Sequence, residues 1–195
     1  MHGEVVPYLL EPHVGPRLLA RVRDGSGVPV WLPAPLPYLW GVNGVAWAGD
    51  DQESSRAVAV AISGPSPLGG PVDLVLVAEE LGVGLGAGLA GLDRLDPGRE
   101  VGIGAPAARV TAAGHDTPLW EVATDSQMVA LAGEAEGIWL WVLAWAARAD
   151  LLLIDDLRLV DIRSPGDYPV PLEDLAYGAV TTRLAHAKSR SDNGV

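Results

Sequence analysis

The chain has 195 residues, 49% apolar and 19% charged, with 13 basic side chains against 25 acidic ones for a formal net charge of −12. The apolar share excludes a disordered chain and is enough to bury a core. The absence of Cys excludes a disulfide scaffold and a thiolate metal site, and the acidic balance disfavours binding to phosphate backbones.

Residues 1–13, MHGEVVPYLLEPH, hold neither a basic n-region nor an apolar h-region, so no secretory signal is predicted. The longest uncharged run, Gly25 to Gly49, is broken by Pro29, Pro33, Pro35 and Pro37 and cannot be a continuous spanning helix. The densest apolar run, Ile138 to Ala147, is too short to cross a bilayer. A cytoplasmic protein that does not enter a membrane is the expectation.

Residues 16–24 predict a helix, with Pro16 at its first position and Val14, Leu18, Leu19 and Val22 on one stripe. Residues 28–37 alternate Pro with apolar residues and predict an extended edge segment laid over the core. From residue 39 the texture turns to strands. Leu39 to Ala48, Arg56 to Ser63 and Val72 to Glu79 are apolar, rich in Val and Trp, and bounded by turn residues. Gly82 to Gly91 reads as a glycine loop, and residues 92–106 as a polar one.

Six further strands are predicted: Ala108 to Ala112, Leu119 to Ala123, Met128 to Gly133, Ile138 to Ala144, Leu151 to Ile154 and Leu157 to Ile162. A hairpin at Asp155-Asp156 is expected to join the last two. The gaps between most strands are too short for parallel crossovers, so the sheet should be mainly antiparallel. Residues 171–187 begin with Glu173 and Asp174 and end near Arg183, His186 and Lys188, which suits the dipole of a C-terminal helix. The tail from Ser189 is predicted to be disordered. The fold class is α+β, with one globular domain over 1–170 and a C-terminal segment over 171–195.

The most suggestive motif is Gly86-Ala-Gly88-Leu-Ala-Gly91, a G-x-G-x-x-G run after a strand. Such glycines let backbone N–H groups approach a pyrophosphate. Against this, Glu79 and Glu80 stand at the strand end, and no parallel strand with a terminal acid follows about 20 residues later. An acyl-coenzyme A loop would want a basic or Gln residue where Glu80 and Leu81 stand. The bland reading is a glycine loop close against the sheet. The candidate ligand-binding residues are Gly82, Gly84, Gly86 and Gly88, with Glu79, Glu80, Trp47 and Asp50.

Neighbours on a strand face opposite ways, so Glu79 and Glu80 should take opposite roles. One should turn inward and accept hydrogen bonds from loop or Trp N–H groups, while the other meets solvent. Asp50-Asp51 and Asp155-Asp156 suit turns, and Glu134 and Glu136 would share a face if their strand continued. His115-Asp116 could be a base with its orienting acid, but Ser63 lacks a nucleophile-elbow context, and a turn histidine is the simpler reading. Trp139, Trp141 and Trp145 share one strand face, as a stacking platform or, more simply, a core stripe. His2, His13, His115 and His186 are too scattered for a metal site.

The stretches VPVWLPAPLP, GVAWAGDD, SGPSPLGGPVDLVLVAEELGVGLGA, HDTPLWEV and GEAEGIWLW together resemble an uncharacterised actinobacterial family of unknown function. The resemblance is collinear from about residue 2 to about residue 163, and the segment after about residue 170 departs from it. It implies an N-terminal zinc ribbon whose last ligands precede a phrase like His2-Gly3-Glu4-Val5. With no Cys, that ribbon is expected to be absent here. Members are sometimes labelled phosphotransacetylase, but no acetyl- or phosphoryl-transfer constellation supports that label here.

The leading expectation is a non-catalytic protein that binds another protein or a small ligand. It needs no cofactor or metal and does not bind nucleic acid. The alternative is an acyltransferase-like or other enzyme that holds a phosphate-bearing cofactor on the loop 82–91.

Overall fold

The structure is a computed structural model that describes residues 8–10, 13–49, 54–66, 68–124, 127–145, 154, 157–164 and 168–185. Strand β1 (Tyr8–Leu10) precedes helix α1 (Pro16–Gly25) and a short strand β2 (Trp31–Pro33). A three-stranded meander follows: β3 (Gly41–Ala48), β4 (Ala57–Pro65) and β5 (Pro71–Glu79). After a long connection holding the one-turn helix α2 (Leu85–Leu89) comes a second meander: β6 (Ala108–Ala112), β7 (His115–Val122), β8 (Val129–Ala135) and β9 (Ile138–Trp145). Strand β10 (Arg158–Asp161) and a 3-10 turn at Leu172–Asp174 complete the described elements.

The strands form one sheet in the order β1-β3-β4-β5-β9-β8-β7-β6-β10-β2. The antiparallel pair β5–β9 joins the two meanders, from Asp73 opposite Trp145 to Glu79 opposite Trp139. The expected α+β fold is the observed one, and the sheet is mostly antiparallel. Its parallel strand pair is β10 with β6, made by Arg158 and Leu159 opposite Thr111 and Ala112. The sheet curls, so β2 at one end of the order comes back to touch β5.

Both faces of the sheet are largely buried on β3, β4, β5, β8 and β9, whereas β6 alternates buried and exposed residues. Alternation assigns Leu74, Leu76 and Ala78 of β5 to an inner core, with Val58, Val60 and Ile62 of β4 and Leu19 and Val22 of α1. Val75 and Val77 of β5 face the outer core with Ala57, Ala59 and Ala61, and with Trp141 and Leu143 of β9. Burial on two faces explains why β4 and β5 read as continuous apolar runs. Alanine dominates the outer face on β3, β4 and β8, and that shallow floor admits the backbone of α2.

Helix α1 forms as predicted, with Pro16 in its first turn; Leu19 and Val22 are buried, while Val14 and Leu18 flank the core. The Pro-rich segment does lie at a sheet edge, through Leu159–Pro33 and Asp161–Trp31 pairing. Buried Asp161 anchors it by accepting the Val30 N–H at 3.0 Å, and the Arg163 guanidinium neutralises that carboxylate at 2.8 Å.

Several expectations are corrected. The C-terminal helix over 171–187 is absent from its described part. After the 3-10 turn the chain runs as an extended strap along β3, where Val42 N–H donates to the Ala176 carbonyl and Gly178 N–H to the Val42 carbonyl. The first part of β3, beyond its pairing with β1 at Ala46–Ala48, offers the strap more hydrogen bonds than a short helix starting at Pro171 and holding Gly178. The Asp155-Asp156 hairpin is replaced by pairing of β10 with β2 and β6; Ile154 is buried in helical conformation, and residues 151–153, 155 and 156 lie outside the described residues. The tail from Ser189 lies outside them too.

Glu134 and Glu136 do not share a strand face. Ala135 pairs with Ile138, and Glu136 (φ 56°) and Gly137 (φ 80°) make the two-residue turn between β8 and β9. His115 opens β7 opposite Ala112, and the turn before it falls on Ala113-Gly114.

Candidate functional site

The glycine run is no open loop. Gly82 and Gly84 take positive φ, both 83°, which brings the chain back over the outer face, and α2 follows at once. Glu79, the last residue of β5, points under this turn with 0% of its surface exposed. Its carboxylate accepts the Gly86 N–H at 3.1 Å on Oε2 and the Trp141 indole N–H at 2.7 Å on Oε1. Burial pushes this carboxyl up to about 7, although the Gly86 and Trp141 bonds pull it down.

Gly86 serves twice. A Cβ built on it would stand 2.4 Å from the Trp141 ring, so only glycine lets the backbone lie on that indole. Gly88, by contrast, has open space where a Cβ would go. Other turn N–H groups are used internally: Gly88 donates to Gly84, Ala90 to Gly86 and Leu92 to Ala87. A phosphate cradle needs free, convergent N–H groups. Here Gly86 gives its own to a carboxylate of this chain, and a helix of five residues has little dipole to add.

Glu80 turns the other way, half exposed, and pairs with Arg56 at 2.8 Å. The two acids thus face opposite ways, as strand alternation requires. Trp47 lies away from the glycine turn, against the inner core and 5.5 Å under the Arg21 guanidinium. Asp50 lies outside the described residues. The eight candidates therefore do not converge. Glu79 and Gly86 form one buried pair, half-buried Gly84 with Gly82 and Gly88 borders it, and Glu80 and Trp47 stand apart.

The other candidates are also separated. Asp116 pairs with Arg109 and leaves exposed His115 beside it, while the Ser63 hydroxyl accepts Asn43 Nδ2 at 2.7 Å. Trp139, Trp141 and Trp145 do share a face, and they belong to the outer core. Arg183 covers Trp145, 4.9 Å from the ring centre. Among the described residues no helix is long and apolar enough to cross a membrane.

A different site emerges at the opposite end of the β4–β5 hairpin. Pro37, Tyr38, Trp40, Pro65, Ser66, Leu74 and Leu157 line a pocket of about 270 Å³. Trp40 is the fixed wall: its indole N–H donates to the Pro65 carbonyl at 3.1 Å, and its ring fills the space a Cβ on Gly64 would need. Leu39 holds φ 64°, a strained value for Leu, which turns Tyr38 and Leu39 outward at 87% and 68% exposure. Among the described residues no charged side chain lines the pocket, and its polar side chains are Tyr38 and Ser66. Ser66 Oγ already accepts the Leu68 N–H at 2.9 Å.

Sequence reasoning missed this pocket. Its lining comes from four separated stretches, and the one local signal was Tyr-Leu-Trp directly after a proline run. Residues 1–184 match a family model described as a family of unknown function, DUF6758. No curated protein and no solved structure matches the chain.

Proposed function

The chain belongs to the DUF6758 family, and for this member we propose a non-catalytic binding role, with the Tyr38–Trp40 pocket as the ligand site. One observation carries the reading: a recess of about 270 Å³ with apolar walls and, among the described residues, no charged lining side chain, at a rim of exposed Tyr38 and Leu39. That volume suits one or two fused rings or a branched aliphatic group. The lining favours an uncharged ligand, because an ion would lose its hydration with no partner to replace it. Tyr38 and Ser66 hydroxyls can orient one polar substituent. A cytoplasmic, single-domain protein is part of the proposal and accords with the Cys-free composition.

The alternative, a phosphate-bearing cofactor on residues 82–91, loses its support where Gly86 N–H meets Glu79. The test uses 1-naphthol and indole as probes in ligand-observed NMR, with Tyr38→Asp as the control. Saturable binding that weakens about tenfold in the variant supports the proposal. No saturation, or equal binding to both proteins, overturns it.

A further inference from the structure

We propose that residues 82–104 form a pH-responsive cover over the alanine-lined outer face of the sheet, latched by the Glu79 carboxyl. The inference stands apart from the apolar pocket, which lies against the inner core at the other end of β5.

Three observations carry it. First, the cover is made of turns. Gly82, Gly84, Gly91, Gly98, Gly102 and Gly104 all have positive φ, and bonds such as Val83 to Glu80, Gly91 to Gly88 and Ile103 to Glu100 are local. Segments held by local bonds open at lower free energy than sheet ladders. Second, the cover contributes apolar side chains to the core beneath it. Leu85, Ala87 and Leu89 of α2 share one core with the floor formed by Ala57, Ala59, Ala130 and Ala132. Third, the latch joins three elements at one carboxyl. Glu79 belongs to β5, Gly86 N–H to α2 and the Trp141 indole to β9.

Among the described residues no charged group acts on the Glu79 carboxyl. β4 presents Ala57 opposite it, β9 presents Trp139 and Trp141, and α2 presents Leu85, Gly86 and Ala87. The nearest charged pair on its own and the adjacent element, Glu80 with Arg56, is turned to solvent. The groups that act on the Glu79 carboxyl are uncharged donors, and burial outweighs them.

The direction follows from linkage. With the cover closed the carboxyl sits at about 7, and in an opened, hydrated state it returns to its ordinary 4.5. The opened state therefore releases a proton more readily. Opening grows as pH rises from 4.5 towards 7 and levels off above, where both states are ionised. The Gly86 and Trp141 bonds favour the ionised form, but the burial cost of the charge outweighs them, so the cover is held more firmly in acid and opens more readily at neutral pH and above.

Amide hydrogen exchange of Gly86 by NMR, corrected for the intrinsic rate, tests this at pH 5 and pH 8. Protection should fall on the order of 50-fold in the native protein. In Glu79→Gln, which cannot ionise, it should stay level. Gly86 should also exchange faster than the β5 amides at both pH values. Equal protection at the two pH values, the same fall in Glu79→Gln, or exchange no faster than β5 would each overturn the proposal. Should Glu79→Gln fail to fold, the ¹³C titration of the Glu79 carboxyl in the native protein decides. A midpoint near 7 supports the latch, and one near 4.5 overturns it.

Discussion

Glu79 and Gly86 hold each other in place, and each can be tested by a single substitution. Glu79→Ala leaves the Trp141 indole and the Gly86 N–H buried without an acceptor, which should cost about 2–4 kcal/mol in chemical unfolding. Glu80→Ala removes only a half-exposed pair with Arg56 and should cost under about 0.5 kcal/mol. Gly86→Ala puts a methyl group into the Trp141 ring and should cost about 3 kcal/mol, whereas Gly88→Ala meets open space and should be neutral or slightly stabilising. Comparable losses at the two glycines would contradict this packing. The pH profile has a definite sign. The folded state holds the Glu79 proton up to about 7 and the unfolded state only to 4.5, so this group's contribution is fully present below 4.5 and is lost as pH rises through 7. The loss approaches about 3 kcal/mol. Urea unfolding at pH 4 and pH 8 should show it in the native protein and not in Glu79→Gln.

Elements form here where local pattern and tertiary demand agree, and the strap at 175–184 shows what happens when they conflict. Its acid-first, base-last order favours a helix, yet the exposed flank of β3 recruits its backbone. The bulge between Val42 and Gly44 frees groups that Ala176, Gly178 and Thr181 satisfy. The strap then carries Leu184 into the outer core, fully buried against Gly44, where a Cβ would stand 2.7 Å away. Leu184→Ala should therefore cost about 2–4 kcal/mol in thermal or urea unfolding. Arg183→Ala, losing a half-exposed pair with Asp73 and a ring contact with Trp145, should cost about 0.5–1 kcal/mol. A Leu184→Ala effect below that of Arg183→Ala would mean the strap is a surface feature only. The β8–β9 turn offers the converse case. Glu136 sits at φ 56°, where Asn is better tolerated. Glu136→Asn should raise the melting temperature, by about 0.5 kcal/mol of stability.

Across the whole molecule the curl of the sheet decides which surfaces remain for binding. Two cores occupy both faces of β3, β4, β5, β8 and β9, so recesses there arise at strand ends, where loops from distant stretches meet. The Tyr38–Trp40 pocket lies at such an end, beside the β4–β5 turn. The net charge of −12 is a second molecular property. Self-repulsion of that size opposes the compact state, and salt screens it. Raising sodium chloride from 20 to 300 mM, on the order of a fourfold change in Debye length, should raise the melting temperature measured by calorimetry. A lower melting temperature in salt would mean that attractive pairs such as Arg56–Glu80 dominate the balance instead.

What the amino-acid order determined by itself is local and periodic. The α1 stripe and the opposite facing of Glu79 and Glu80 follow from spacings of two or of three to four residues, the runs of β3, β4, β5 and β9 from local composition, and the predominance of antiparallel pairing from short gaps between strands. Those spacings act through the nearest covalent neighbours, so they are legible in one dimension. Only the tertiary structure decided the rest. It made the segment after Leu172 a strap, because the flank of β3 needed partners. It set β10 between β6 and β2 in place of a hairpin, and it put Trp47 on the face away from the glycine turn. It assigned Gly86 to Trp141 and Glu79 and left Gly88 without a contact, although the motif treats the two alike. It gathered Pro37, Tyr38, Trp40, Pro65, Leu74 and Leu157 around one recess. The physical reason is common to all of these: burial and hydrogen-bond satisfaction depend on what folds against a residue, and that neighbour lies beyond the two-to-four-residue reach of local periodicity, mostly tens of positions away in the chain.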